Sequence, residues 1–228
     1  MTVFCKELRG GAVSFLMWSA VVGGLMAVCV GLYPSMAGAM DDMSALFAGL
    51  GDFSAALTAM GLLAGEEGGH TAEFLLTHPV SRLRVAVEKL AALTVLIIGL
   101  NVICFACGAG GILAIGEEAE WGNLLHYHGA VLLMQLEIGA VCFGVSAFLR
   151  RGGLGLAMGL AALLYFAGLL INLDQGLDWL RFVTPYYYAD AARIFAGEVL
   201  AGPVLAGCAL GVLGAGIGLW WYRRKDIA

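Results

Sequence analysis

Five stretches of this chain, Val13 to Tyr33, Leu90 to Ile115, Gly129 to Leu149, Leu154 to Leu173 and Pro203 to Tyr222, are long, apolar and almost free of charge. Each reaches the roughly 20 residues that a helix rising about 1.5 Å per residue needs to cross ~30 Å of hydrocarbon. No water is present there to satisfy backbone N–H and C=O groups, so such runs must close their hydrogen bonds internally, as helices do. Composition agrees: 61% of the residues are hydrophobic and the mean hydropathy is +0.90, against roughly 45–50% apolar in a soluble domain. A soluble globule is excluded. The 228 residues have room for about six crossings and little else, so 1–228 reads as one membrane domain. Lys6 and Arg9 ahead of the first run, with Ala37-Gly38-Ala39 beyond it, imitate a secretory signal. The run is longer than a signal's usual apolar core of about 7–15 residues, and it reads as a retained first span.

A sixth crossing is less plain. Met43 to Gly65 is long enough but carries Asp52 and three earlier glycines. Lys and Arg placement decides the matter, because basic residues collect on the cytoplasmic side. Lys6 and Arg9 precede the first span, and Arg82, Arg84 and Lys89 precede the run from Leu90; two crossings must separate them. Six spans with both termini cytoplasmic put ten of the twelve basic residues inside, adding Arg150, Arg151, Arg223, Arg224 and Lys225 and leaving Arg181 and Arg193 outside. The outer loops are acidic, with Asp41, Asp42, Glu117, Glu118, Glu120, Asp174, Asp178, Asp190 and Glu198. Trp121 and Tyr127 at the outer border and Trp220-Trp221-Tyr222 at the inner one fit the preference of these rings for the headgroup level. The six cysteines lie mostly inside apolar runs and read as small hydrophobes rather than a disulfide framework.

Between the second and third spans stands a charged island, Glu66-Glu67-Gly68-Gly69-His70-Thr71-Ala72-Glu73-Phe74-Leu75-Leu76-Thr77-His78-Pro79-Val80-Ser81-Arg82. Its first half suits a short helix along the membrane surface, with Leu62, Leu63, Phe74, Leu75 and Leu76 as anchors and Glu66, Glu67 and Glu73 toward water; Pro79 ends it. This segment resembles the first cytoplasmic loop of ABC-2 type transporter permeases, which reads E-x-x-x-G-T-x-E-x-L-L-S-x-P-V-S-R. Glu66 or Glu67, Thr71, Glu73, Leu75, Leu76, Pro79, Val80, Ser81 and Arg82 fall in that register, while His70 stands where the family usually has Gly. The stretch Leu177 to Gly202, with Phe182-Val183-Thr184-Pro185-Tyr186-Tyr187, is similar to the family's re-entrant helical pair before the last span, and Tyr222-Arg223-Arg224-Lys225-Asp226-Ile227 to its closing tail, with Lys225 inserted. The resemblance implies an all-α membrane protein of six transmembrane helices, with a cytoplasmic coupling helix after the second and a re-entrant helical pair before the sixth. It further implies the membrane subunit of an ATP-driven exporter in a bacterial or archaeal cytoplasmic membrane. Two such permeases, a second copy or a paralogue, would pack in lipid and dock two ABC ATPase subunits through Glu66, Glu67, Thr71, Glu73, Pro79 and Arg82. Nucleic acid is not an expected partner.

None of Lys6, Lys89 and Lys225 follows a Gly-rich turn of the G-x-x-x-x-G-K-S/T type. ATP and Mg would therefore sit on the partner ATPase, and no cofactor or metal is expected in this chain. Glu137, in the middle of the fourth span near Met134 and Gln135, is a functional candidate because a carboxyl group at that depth is costly; a neutral carboxyl bonded to a neighbouring helix is the structural alternative. Asn101 and Asn172 join it as candidate lining of the translocation path, though interhelical hydrogen bonding explains them as well, and Asp52 falls in the outer half of the second span. Cys104-Phe105-Ala106-Cys107 and His126-Tyr127-His128 carry metal-ligand residue types without a second cysteine pair, and core packing is the favoured reading. The G-x-x-x-G pairs Gly155/Gly159, Gly207/Gly211 and Gly214/Gly218 permit close helix approach, yet among 34 glycines such pairs arise by chance. An intramembrane enzyme lacks H-E-x-x-H and G-x-S-x-G, since Gly144-Val145-Ser146-Ala147-Phe148 fails at its last position. A proton-coupled carrier using Glu137 would show inverted repeats, and none is evident.

Overall fold

The structure is a computed structural model that describes residues 2–36, 81–116, 120–149, 153–173, 175–198 and 200–224. The second span, the loop residues Glu66, Glu67, Thr71, Glu73 and Pro79, and Arg150, Arg151 and Lys225 lie outside the described residues. Everything regular among them is helical: α1 Thr2–Met36, α2 Arg82–Ile115, α3 Trp121–Ser146, α4 Leu154–Leu173, 3-10 turns at Gln175–Phe182 and Pro185–Tyr187, α5 Ala191–Phe195 and α6 Ala201–Arg224. Three of these, α2, α3 and α6, are long and apolar enough to cross a membrane. In α1 the pieces Val3–Ala12 and Phe15–Leu25 meet at 44° and qualify together as a fourth, while the apolar part of α4, Gly155–Ile171, is shorter.

α2 starts at Arg82, two turns before its apolar run at Leu90. Ser81 is the cause: its backbone is extended and its Oγ accepts from the Arg84 N–H at 3.3 Å, which fixes a helix start ahead of the charged residues. Hydropathy marks only the greasy part of a helix, and this extension is charged. Its groups hold α1: Arg84 Nε bonds Glu88 Oε1 at 3.0 Å, the Phe4 N–H donates to Glu88 Oε2 at 3.2 Å, and Lys89 Nζ lies 3.4 Å from Glu7 Oε1. Further along, α1 and α2 run parallel, with Gly11 against Leu96, Gly99 against Phe15 and Gly23 against Cys107. Gly116, at φ 77°, closes α2 through its N–H to Ile112 and Leu113 carbonyls, a left-handed conformation that glycine adopts without Cβ strain.

α3 lies in the centre, antiparallel to α2, and packs most extensively on α6. The contact surface of α6 is Gly207, Gly211, Gly214 and Gly218, spaced four, three and four residues apart so that they line one stripe. A Cβ placed on Gly144 of α3 would overlap the Gly214 carbonyl, one on Gly214 would lie 2.8 Å from Val141 Cα, and one on Gly218 2.9 Å from Gly144 Cα. These backbones touch, as small residues allow between membrane helices. The Gly207/Gly211 and Gly214/Gly218 pairs are therefore a packing seam, not chance, whereas Gly155 and Gly159 have nothing within 4 Å of where a Cβ would stand. Met134, Ile138, Cys142 and Phe143 of α3 join Ala157 and Ala161 of α4 and Tyr188 in the core.

The region before α6, where the resemblance implies a re-entrant helical pair over Leu177 to Gly202, carries two 3-10 turns and one five-residue helix. Asp190 caps α5 by accepting from the Ala192 N–H at 3.0 Å. Gly197, at φ 72°, turns the chain out again. The whole region packs on α3, α4 and α6: Thr184 Oγ1 donates to the Leu164 carbonyl at 2.7 Å, and the Tyr165 and Tyr186 rings meet edge-on at 5.4 Å.

Candidate functional site

Glu137 projects from the centre of α3 toward α6 and is 6% exposed. The sequence offers no cation at its depth, and the structure supplies a phenol in its place: Tyr188 Oη donates to Glu137 Oε2 at 2.8 Å, with Tyr188 itself 1% exposed. The 3-10 turn at Pro185–Tyr187 delivers that tyrosine, since Pro185 fixes the backbone entering it. Room for the pair comes from α6. A Cβ on Gly207 would overlap the Glu137 carboxylate and stand 3.0 Å from Tyr188 Cε1; one on Gly211 would stand 3.4 Å from Glu137 Cα. One carboxyl group thus joins three elements: α3 that carries it, the turn that bonds it, and the glycine face that accommodates it.

Of the other candidates among the described residues, Asn101 and Arg82 lie elsewhere. Asn101 is buried on α2, along a stripe where Ile97 meets Gly139 and Phe105 meets His128, which is the opposite side of α3 from Glu137. Asn172 belongs to the last turn of α4. Arg82 is the first residue of α2, at the base where the loop expected to couple to an ATPase enters the helix. Cys104 and Cys107 are free thiols, the latter beside Gly23 of α1. No group of three or more His, Cys, Asp or Glu side chains placed to hold a metal occurs among the described residues.

At the end of the molecule away from Arg82, Arg193 is engaged on several sides: Asp190 Oδ2 at 3.5 Å, Glu198 Oε2 at 3.1 Å, the Tyr187 hydroxyl at 3.2 Å and the Tyr187 ring at 4.1 Å. It serves as a staple across α5. Sequence reasoning missed Tyr188 as the partner of Glu137 and the glycine face beneath it. The signal was the Pro185-Tyr186-Tyr187-Tyr188 string, in which the third tyrosine reaches the carboxylate.

Compared with families of known proteins, residues 12–226 match the family described as ABC-2 family transporter protein. No curated protein matches the chain.

Proposed function

Because the chain belongs to the ABC-2 family of transporter proteins, and so is an integral membrane permease of the ABC type, we propose that it is the membrane subunit of an ATP-driven exporter. Two permeases pack together and two ABC ATPase subunits dock on the loop from Glu66 to Arg82, with both termini on the cytoplasmic side. The observation that carries this reading is the family match across residues 12–226, which includes that loop, together with the Ser81 cap that makes the loop's last residue, Arg82, the first of α2. A displacement of the docked loop acts directly on a helix of 34 residues, which is stiff enough to carry it across the membrane.

α2 in turn holds the start of α1 through the Lys89 to Glu7 pair and the Phe4 N–H to Glu88 bond. Loop motion therefore moves α1 and α2 as a pair against the unit built on α3 and α6. In this reading Glu137 works with Tyr188, keeping the Gln175–Phe195 region seated on α3 and α6 beside the translocation path. The test is ATP hydrolysis by the reconstituted permease and ATPase: Glu67→Ala and Arg82→Ala leave the chain inserted and remove transport-linked hydrolysis. Normal coupling in both variants contradicts the docking role.

A further inference from the structure

A second set of buried polar side chains lies on the α2 side of α3, away from Glu137. His128, Gln135 and Gly139 fall seven and four residues apart on one stripe of α3. The stripe faces α2, because a Cβ on Gly139 would meet Ile97 at 3.1 Å and the His128 ring meets Phe105 edge-on at 5.1 Å. Asn101 stands four residues from both Ile97 and Phe105, which puts it level with Gln135 across the seam.

All three side chains are more than nine-tenths buried: Asn101 7%, His128 6% and Gln135 4% exposed. Gln135 Oε1 and both ring nitrogens of His128 have no hydrogen-bond partner among the described residues. Buried polar atoms are nearly always satisfied, and in a membrane segment the surrounding lipid cannot do it. Three such atoms along one seam call for a ligand that both donates and accepts and is small enough to fit between closely packed helices. We propose that the seam between α2 and α3 is a hydration site, in which water reaches Gln135 and Asn101 by way of His128 from the Gly116 end. The same chemistry admits the hydroxyl or amide group of a small neutral solute. Charge is not selected for, since no acid or base other than His128 belongs to the set. The inference stands apart from ATPase docking and from the Glu137 and Tyr188 pair.

Two native cysteines make the test. Cys104, on the α2 stripe one turn beyond Asn101, lies roughly 16 Å from the Ile115 end of the helix at ~1.5 Å per residue. Cys142, seven residues beyond Gln135 on the same α3 stripe, is 0% exposed in the apolar core. Chains retaining only one of these, with the other cysteines replaced by alanine, are treated in vesicles with a small charged methanethiosulfonate reagent, which reacts with a thiol only where water reaches it. A wet seam labels Cys104 on the order of tenfold faster than Cys142, and Gln135→Leu with His128→Phe removes that advantage while the chain remains folded by circular dichroism. Cys104 labelling no faster than Cys142 overturns the proposal, as does fast labelling that survives the double replacement. Thermal unfolding gives an independent reading. Gln135→Leu lowers the melting temperature if the amide is hydrated, and a higher melting temperature contradicts hydration, because an unsatisfied amide would have been removed.

Discussion

The Tyr188 hydroxyl gives its hydrogen bond to Glu137 Oε2 over 2.8 Å, tying a short 3-10 region to the central helix at a point where both side chains are buried. The bond connects residues 51 positions apart, so it fixes tertiary arrangement and not local structure. Removing the donor leaves the carboxyl group without it in a site that water does not readily enter. Tyr188→Phe is expected to destabilise the permease by about 1–3 kcal/mol, seen as a lower melting temperature in detergent. Glu137→Gln, which retains an acceptor for the phenol, is expected to remain near wild type in stability. Equal losses from the two variants would mean that the hydrogen bond is not what holds the region.

Transport tests the same pair differently. If Glu137 serves only to hold Tyr188, Glu137→Leu lowers the melting temperature, because the buried phenol loses its acceptor, and leaves transport by the folded protein intact. The proposed role beside the path predicts more than lost stability: a folded Leu variant with transport reduced, measured as substrate-stimulated ATP hydrolysis in proteoliposomes. A folded and fully active Leu variant removes Glu137 from the functional account.

The α3 and α6 glycines make a sharper packing prediction. Gly144 meets the Gly214 backbone directly, so Gly144→Ala must push two backbones apart and is expected to destabilise by roughly 1–3 kcal/mol or more. Gly155→Ala and Gly159→Ala, with no described residue within 4 Å of either Cβ position, are expected to be neutral or slightly stabilising, because alanine is the better helix former by about 1 kcal/mol. Melting temperatures of the three variants check this, and a harmless Gly144→Ala would refute the seam.

At the base, Lys89 has a fully buried side chain paired with Glu7 at 3.4 Å. Lys89→Ala leaves Glu7, itself mostly shielded, without that cation, and is expected to cost on the order of 1–3 kcal/mol. The loss concentrates in the first turns of α1, so hydrogen exchange of residues 3–12 is expected to quicken while α6 keeps its protection. Unchanged exchange in α1 would break the proposed link between the loop and that helix.

Topology is checked by single cysteines introduced at Ser44 and Asn123. Six spans with cytoplasmic termini expose both to reagents that cannot cross the membrane. Protection of either would remove the second span from the proposed arrangement.

What could be read in the sequence followed from physics that is local. Apolar length marked the helices now seen as α2, α3 and α6, and the cost of a carboxyl group at mid-membrane singled out Glu137. The loop motif could be read as far as Arg82, but not the start of a helix there, because that depends on Ser81 adopting an extended backbone and accepting from Arg84. Tyr188 stayed hidden for a different reason: which of three consecutive tyrosines turns inward is set by a 3-10 turn and by the volume that Gly207 leaves open. The glycine pairs looked alike in sequence, and only the neighbouring helix distinguishes Gly214 and Gly218, which touch α3, from Gly155 and Gly159, where no described atom stands near a Cβ position. His128, with the residue type of a metal ligand, is instead buried against Phe105 and Tyr127.

The most direct test of the account is to purify the tagged chain from its native membrane in mild detergent and weigh what accompanies it, with wild type beside Arg82→Ala. The account predicts an ATPase subunit bearing a G-x-x-x-x-G-K-S/T loop in equal amount with the wild-type permease, and much less of it with the variant although that chain is inserted and folded. Wild-type permease that purifies with no such ATPase, and that moves solute without ATP, would contradict it.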